Sequence, residues 1–447
     1  MSPEAVWAVA ASLVVLFGLL VVKAPVAVSL GLAGVTGLVM LRGWEVSTAT
    51  LATAPFQTTA KYALVVIPMF VLMGIFASRG GLAEDVYRVS YRLLRRFPGG
   101  LALASVGACA GFAAVSGSSN ATAATVGQVA VKEMRRYGYS GGYSAGVVAA
   151  AGTLGLMIPP SIGLVLYGII AGESIAAVLV AGIVPGVLCA VMYAVTVVIH
   201  ARFFGHRIGM DRQQEARAAA ESQRLDGRAY RALFKVAFLF LLVMGGIYLG
   251  FFTATEAAAI GALGALVLLI PTVRRVGLRG LLNALGDSAR EGVAVTSFLF
   301  FIVIGASIFT YFLVSAGVPT AFSRWILGLD VPPVVIVLLL VAAMIPLGMF
   351  LDPISIMLIT IPLAHPVITD LGYSGIWFGV IVIKAIEIGL ITPPVGLNVF
   401  ILTGVSRVPV EQVFRGIMWF LPLEFAALAL IFFVPELATW LPSMVRG

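Results

Sequence analysis

Gly138-Tyr139-Ser140-Gly141 is followed, after thirteen residues, by Gly155-Leu156-Met157-Ile158-Pro159-Pro160. Gly372-Tyr373-Ser374-Gly375 is followed, after thirteen residues, by Gly389-Leu390-Ile391-Thr392-Pro393-Pro394. Gly138 to Gly372 and Pro159 to Pro393 are both 234 residues apart. Each copy places a Pro-Pro break inside an apolar run long enough to cross a bilayer. Broken helices at matching places in two halves point to a transport site.

The rest of the chain fits a membrane setting. Hydrophobic residues make up 61% of the 447 and charged residues 11%, against about 25% charged in an average soluble domain. Such a chain lacks the polar surface to cover itself in water. Spanning a bilayer takes about 20 apolar residues per helix, and many such runs are present. The net charge of +8 is not a nucleic-acid signal, because the basic residues sit in short loops between apolar runs. Cys109 and Cys189 lie in apolar stretches and read as small buried hydrophobes. His200, His206 and His365 are scattered, and no spacing suggests a metal centre. The run 6–22 has no basic segment before it and reads as a retained first span.

Apolar segments fall near 5–22, 24–42 and 62–78, then a basic amphipathic stretch with Arg88, Arg92, Arg95 and Arg96. Two short Gly/Ala/Ser-rich runs, 99–115 and 121–134, flank the polar tip Ser116-Gly117-Ser118-Ser119-Asn120, the pattern of a re-entrant hairpin. A run at 143–172, broken at Pro159-Pro160, and a span at 175–203 complete a first half, 1–203. Residues 204–231, rich in arginine, read as a linker. The second half, 232–447, has spans at 232–252 and 254–271, a basic stretch at 272–290, and a span at 292–315. A second hairpin at about 333–369 turns at Asp352-Pro353. A broken run at 374–404 and a last span near 414–437 follow. The fold class is all-α: a polytopic membrane protein with an internal repeat, two re-entrant hairpins and two broken helices.

Loop charge orients the copies. Around the first hairpin the loops hold Arg88, Arg92, Arg95 and Arg96, then Lys132, Arg135 and Arg136. Their second-copy equivalents hold only Arg324 with Asp330, and Asp370. Since positive loops stay cytoplasmic, the copies are expected to be inverted. Both termini then lie outside, and 204–231 and 272–290 inside.

Four elements should converge: the tips Ser116–Thr122 and Asp352–Ser355, and the breaks from Gly152-Thr153 to Ser161 and from Glu387 to Asn398. Non-helical backbone at membrane depth is tolerated where it lines a cavity. Pro frees carbonyls in the preceding turn. Those carbonyls, with Ser, Thr and Asn oxygens, suit a hard alkali cation, while helix N-termini suit an anion. Plainer readings compete. A Pro-Pro can be a kink, small residues can be helix packing, Asp352 can be an N-cap, and Glu387 can be a structural partner of Lys384. Glu256 reads as a cap, and Glu424 stays unassigned. No phosphate-binding loop or hydrolytic residue set is present, which points to gradient-driven transport and not to an enzyme. A passive channel, or a carrier working without a binding protein, remains the alternative.

Gly111-Phe112, Ser116 through Ala124, Gly152-Thr153-Leu154-Gly155, Ile158-Pro159-Pro160-Ser161, Gly348 with Leu351-Asp352-Pro353, and Thr392 through Asn398 together resemble the large membrane subunit of tripartite ATP-independent periplasmic (TRAP) transporters. The resemblance implies an elevator-type transporter of the bacterial inner membrane, coupled to sodium and importing an organic acid. It implies two separate partners, a small four-helix membrane subunit and a periplasmic solute-binding protein. It also implies two sodium sites. One would use Ser116, Ser118, Ser119 and Asn120 with Gly152, Thr153 and Pro159. The other would use Asp352, Pro353 and Ser355 with Gly389, Thr392 and Pro393. Ser119, Asn120, Ser161 and Asn398 are the candidate solute-binding residues.

Overall fold

A computed structural model describes residues 2–211, 227–273 and 277–445. Among the described residues all regular structure is helical. Among the described residues nine helices are long and apolar enough to span a membrane, or up to eleven if two bent pairs each count as one span. This matches the all-α polytopic expectation.

Boundaries differ where local chemistry overrides hydropathy. The second span, expected to end near residue 42, runs from Val26 to Thr59 and kinks at Gly43, whose φ of 81° few other residues tolerate. The expected basic stretch at 272–290 is helical from Leu278, and a single 38-residue helix continues to Ser315. Arg279 and Arg290 therefore lie on that helix, and Arg274 and Arg275 lie outside the described residues. Helical structure resumes at Gly227, inside the expected 204–231 linker. The rest of that linker, with Arg212, Arg217 and Arg224, lies largely outside the described residues. The last span is two pieces, Val410–Ile417 and Leu421–Phe433, bent by 47°.

Both hairpins form as read. The first has arms Gly100–Ser116 and Ser119–Arg136. The second has arms Pro333–Phe350 and Pro353–Asp370. The first broken helix runs Gly141–Met157 and then Ile162–Ala171, with a 43° bend. The second runs Gly375–Ile391 and then Leu397–Ser406. Ser140 and Ser374, the third residues of the doubled phrase, cap their helices through Tyr143 N and Trp377 N.

The halves interlock by exchanging equivalent partners. Val26–Thr59 packs along Leu278–Ser315, and Val66–Arg79 packs along Ala254–Val273. Ile162–Ala171 lies on the second arm of the second hairpin, and Leu397–Ser406 lies on the second arm of the first. Small residues permit the close crossings: a Cβ on Gly34 would stand 2.7 Å from Phe309 N, and one on Gly261 2.7 Å from the Met73 sulfur.

Candidate functional site

The first tip is built by its own short-range bonds. Gly117 closes the first arm in a left-handed conformation (φ 62°) and Ser118 opens the second as its N-cap, accepting from Ala121 N at 3.3 Å. Ser116 and Thr122 hydroxyls meet at 2.8 Å, and Thr122 donates to Ser118 O. The second tip turns on Asp352. Its Oδ2 accepts from Ile354 N at 3.1 Å and Ser355 N at 3.2 Å, and its Oδ1 from the Ser355 hydroxyl. The N-cap reading of Asp352 is therefore correct, whatever else the carboxylate does.

Each break is fastened to its neighbouring hairpin by the same backbone amide of the repeat. Ile162 N donates to Gly117 O at 3.0 Å, and Gly396 N, 234 residues on, donates to Met349 O at 3.3 Å. Glycines bring these elements together. A Cβ on Gly155 would stand 2.5 Å from Ser118 O, and one on Gly389 2.5 Å from Gly348 Cα.

The two tips face one cavity of about 390 Å³. Ser116, Ser118, Ser119 and Asn120 line it from one side, and Asp352 and Pro353 from the other, with Ile162 and Gly163 between. The far wall comes from Gly74 and from Glu291, Val295 and Phe298 of the 38-residue helix. Glu291, which sequence reasoning missed, is paired with Arg79 at 2.8 Å. Arg79 and Glu291 are 212 residues apart, and no local pattern announces such a pair. Three helix N-termini open on this space: Ser119–Ala121, Ile162–Gly163 and Pro353–Ile354. None of the described residues lining it is Lys, Arg or His.

The other predicted residues sit behind the wall. Ser161 caps Ile162–Ala171 and donates to Leu156 O at 2.5 Å, away from the cavity. Asn398, fully buried, donates to Ser119 Oγ at 2.7 Å, tying the second broken helix to the first tip. Asn398 Oδ1 and Asn120 Oδ1 are buried without a donor. Gly152 packs against Ala123. Thr153 donates to Ala150 O at 2.7 Å and meets the Tyr193 hydroxyl at 3.2 Å, turned from the tip. Thr392 donates to Ile388 O at 2.5 Å. Ser355 is fully buried beside Asp352. Pro159 is buried whereas Pro393 is exposed, so the breaks are not in equivalent surroundings. Both Pro-Pro bonds are cis. Glu256 forms a capping box with Thr253, as expected. A larger cavity of about 610 Å³ lies away from both tips, between Arg88, Lys132 and Glu133.

Comparison with known proteins matches this arrangement to a family. The family model described as "Tripartite ATP-independent periplasmic transporter, DctM component" matches residues 13–437. The C4-dicarboxylate TRAP transporter large permease protein DctM of Pseudomonas aeruginosa is 34% identical, over 93% of this chain and 94% of that one. The isethionate TRAP transporter permease protein DctMQ of Oleidesulfovibrio alaskensis is 31% identical over 95% of this chain, which spans 65% of that longer protein. Among solved structures, the YdaH transporter of Alcanivorax borkumensis shares the fold with a TM-score of 0.58 at 15% identity, covering 88% of this chain and 90% of that one. With a match over nearly its whole length, this multi-pass membrane chain belongs to the large permease (DctM) family of TRAP transporters.

Proposed function

We propose that the chain imports an organic acid with sodium, in the bacterial cytoplasmic membrane. The acid is delivered by a periplasmic binding protein, and a separate small four-helix membrane subunit completes the permease. Both termini face the periplasm. The observation that carries the reading is the composition of the central cavity. Two carboxylates line it, Asp352 and the Arg79-paired Glu291, and none of the described lining residues is cationic. An anionic solute entering such a space needs positive charge from elsewhere. Helix N-termini supply part of it. A bound alkali cation supplies the rest and is itself suited by hydroxyl, amide and carbonyl oxygens. The unpartnered oxygens of Asn120 and Asn398, beside Ser119, have acceptor capacity left for that purpose.

Movement is of the elevator kind in this reading. Both hairpins and both broken helices bond to one another, so they shift as one body. Where the first hairpin meets the helix Val66–Arg79, Gly74 faces Ser116, and a Cβ would stand 3.1 Å from Ser116 O. A smooth contact of this type lets one body slide past another. The test is uptake of labelled dicarboxylates, isethionate and sugar acids by proteoliposomes holding the chain, its small subunit and its binding protein. Uptake should require inward sodium; uptake indifferent to sodium would refute the coupling.

A further inference from the structure

A cluster outside that cavity has a chemistry of its own. Lys384 and Glu387, one turn apart on Gly375–Ile391, and Glu424 on Leu421–Phe433 are all completely buried. Lys384 Nζ donates to Glu387 Oε2 at 3.0 Å and touches Glu424 Oε2. Glu424 Oε1 is hydrogen-bonded to the Tyr193 hydroxyl. The helices packed against Glu424 are Ile183–Phe203 and Gly375–Ile391. Facing it they present Lys384 and Glu387, with Tyr193 and Cys189 as further titratable groups.

Two carboxylates against one ammonium leave an excess negative charge. Buried in an apolar setting, an unbalanced carboxylate takes up a proton sooner than remain charged. The gap between Tyr193, Lys384 and Glu424 has no room for a water-sized sphere.

Counting hydrogens along the chain of contacts locates the proton. A carbonyl only accepts, so the Thr153 hydroxyl hydrogen is spent on Ala150 O, at 2.7 Å. The 3.2 Å contact between Thr153 and Tyr193 is then a hydrogen bond only with Tyr193 as its donor. In that arrangement Tyr193 has no hydrogen left for Glu424, and the one between them belongs to Glu424 Oε1. Glu424 Oε2 remains free to accept from Lys384, and every contact in the series is satisfied.

We infer that Glu424 is a proton-binding site, holding a carboxylic acid whose Oε1–H donates to Tyr193. The proton joins the last span to Thr153 at the first break on one side and to Lys384 of the second broken helix on the other. The site does not depend on sodium coupling.

Infrared difference spectroscopy tests it. The permease, with its small subunit in lipid at neutral pH, should show the C=O stretch of a protonated carboxyl that Glu424→Gln abolishes. Tyr193→Phe should shift the band by removing its acceptor. Because glutamine offers both a donor and an acceptor, Glu424→Gln should melt within about 2 °C of wild type. Glu387→Gln, which strips Lys384 of its ionised partner, should melt at least about 5 °C lower. Absence of the band in wild type, its survival in Glu424→Gln, its indifference to Tyr193→Phe, or failure of Glu424→Gln to fold would each overturn the assignment.

Discussion

Asp352 holds its helix start with one carboxylate oxygen and Ser355 with the other, and it also faces the central cavity. Charge and capping can be separated by substitution. Asparagine caps a helix about as well as aspartate, whereas alanine costs about 0.5–2 kcal/mol. Asp352→Asn should therefore keep the melting temperature of wild type and still raise the sodium concentration that half-activates uptake. Asp352→Ala should lose both stability and sodium response. A normal sodium curve for Asp352→Asn would leave Asp352 a cap alone. The residue scale also shows what sequence hides. Ser116–Asn120 was legible because five polar or small residues stand together in an apolar run. Glu424 was not, because Lys384 and Tyr193 meet it from two other helices. Thr153 was placed by its motif, but its hydroxyl turns toward Tyr193, a direction that no spacing encodes.

Pro-Pro breaks and hairpins were readable as elements because proline, glycine and hydropathy act locally. The joins between them were not, since they depend on close backbone approaches. Gly348 and Gly389 touch backbone to backbone, and a Cβ on Gly389 would stand 2.5 Å from Gly348 Cα. Gly389→Val should push the second hairpin off its broken helix. Overpacking of this sort costs about 1–3 kcal/mol, seen as a lower melting temperature together with loss of uptake. Gly404, with nothing near its Cβ position, is the control: Gly404→Ala should change neither. The 272–290 stretch was legible as basic, but its helix from Leu278 was not. Arg279 and Arg290 lie on a helix that continues into the apolar span.

At the scale of the whole molecule, interlocked halves and the asymmetry of their loops argue for inverted copies. Cys109 and Cys189 are both buried, so a cysteine introduced at Arg217 reports without background. An impermeant thiol reagent should label it in inside-out vesicles and spare it in intact cells; the reverse would invert the assigned topology. The repeat itself was legible from the doubled phrase. Its unequal surroundings, with Pro159 buried and Pro393 exposed, were not, because burial depends on how the two bodies sit together. The most direct test of the central claim is sodium-gradient-driven uptake by the reconstituted three-part system. Accumulation of the acid against its own gradient should appear with inward sodium, vanish when sodium is equal on both sides, and lose its sodium sensitivity progressively in Ser118→Ala and Asp352→Asn. Accumulation that is unchanged without a sodium gradient would contradict the account.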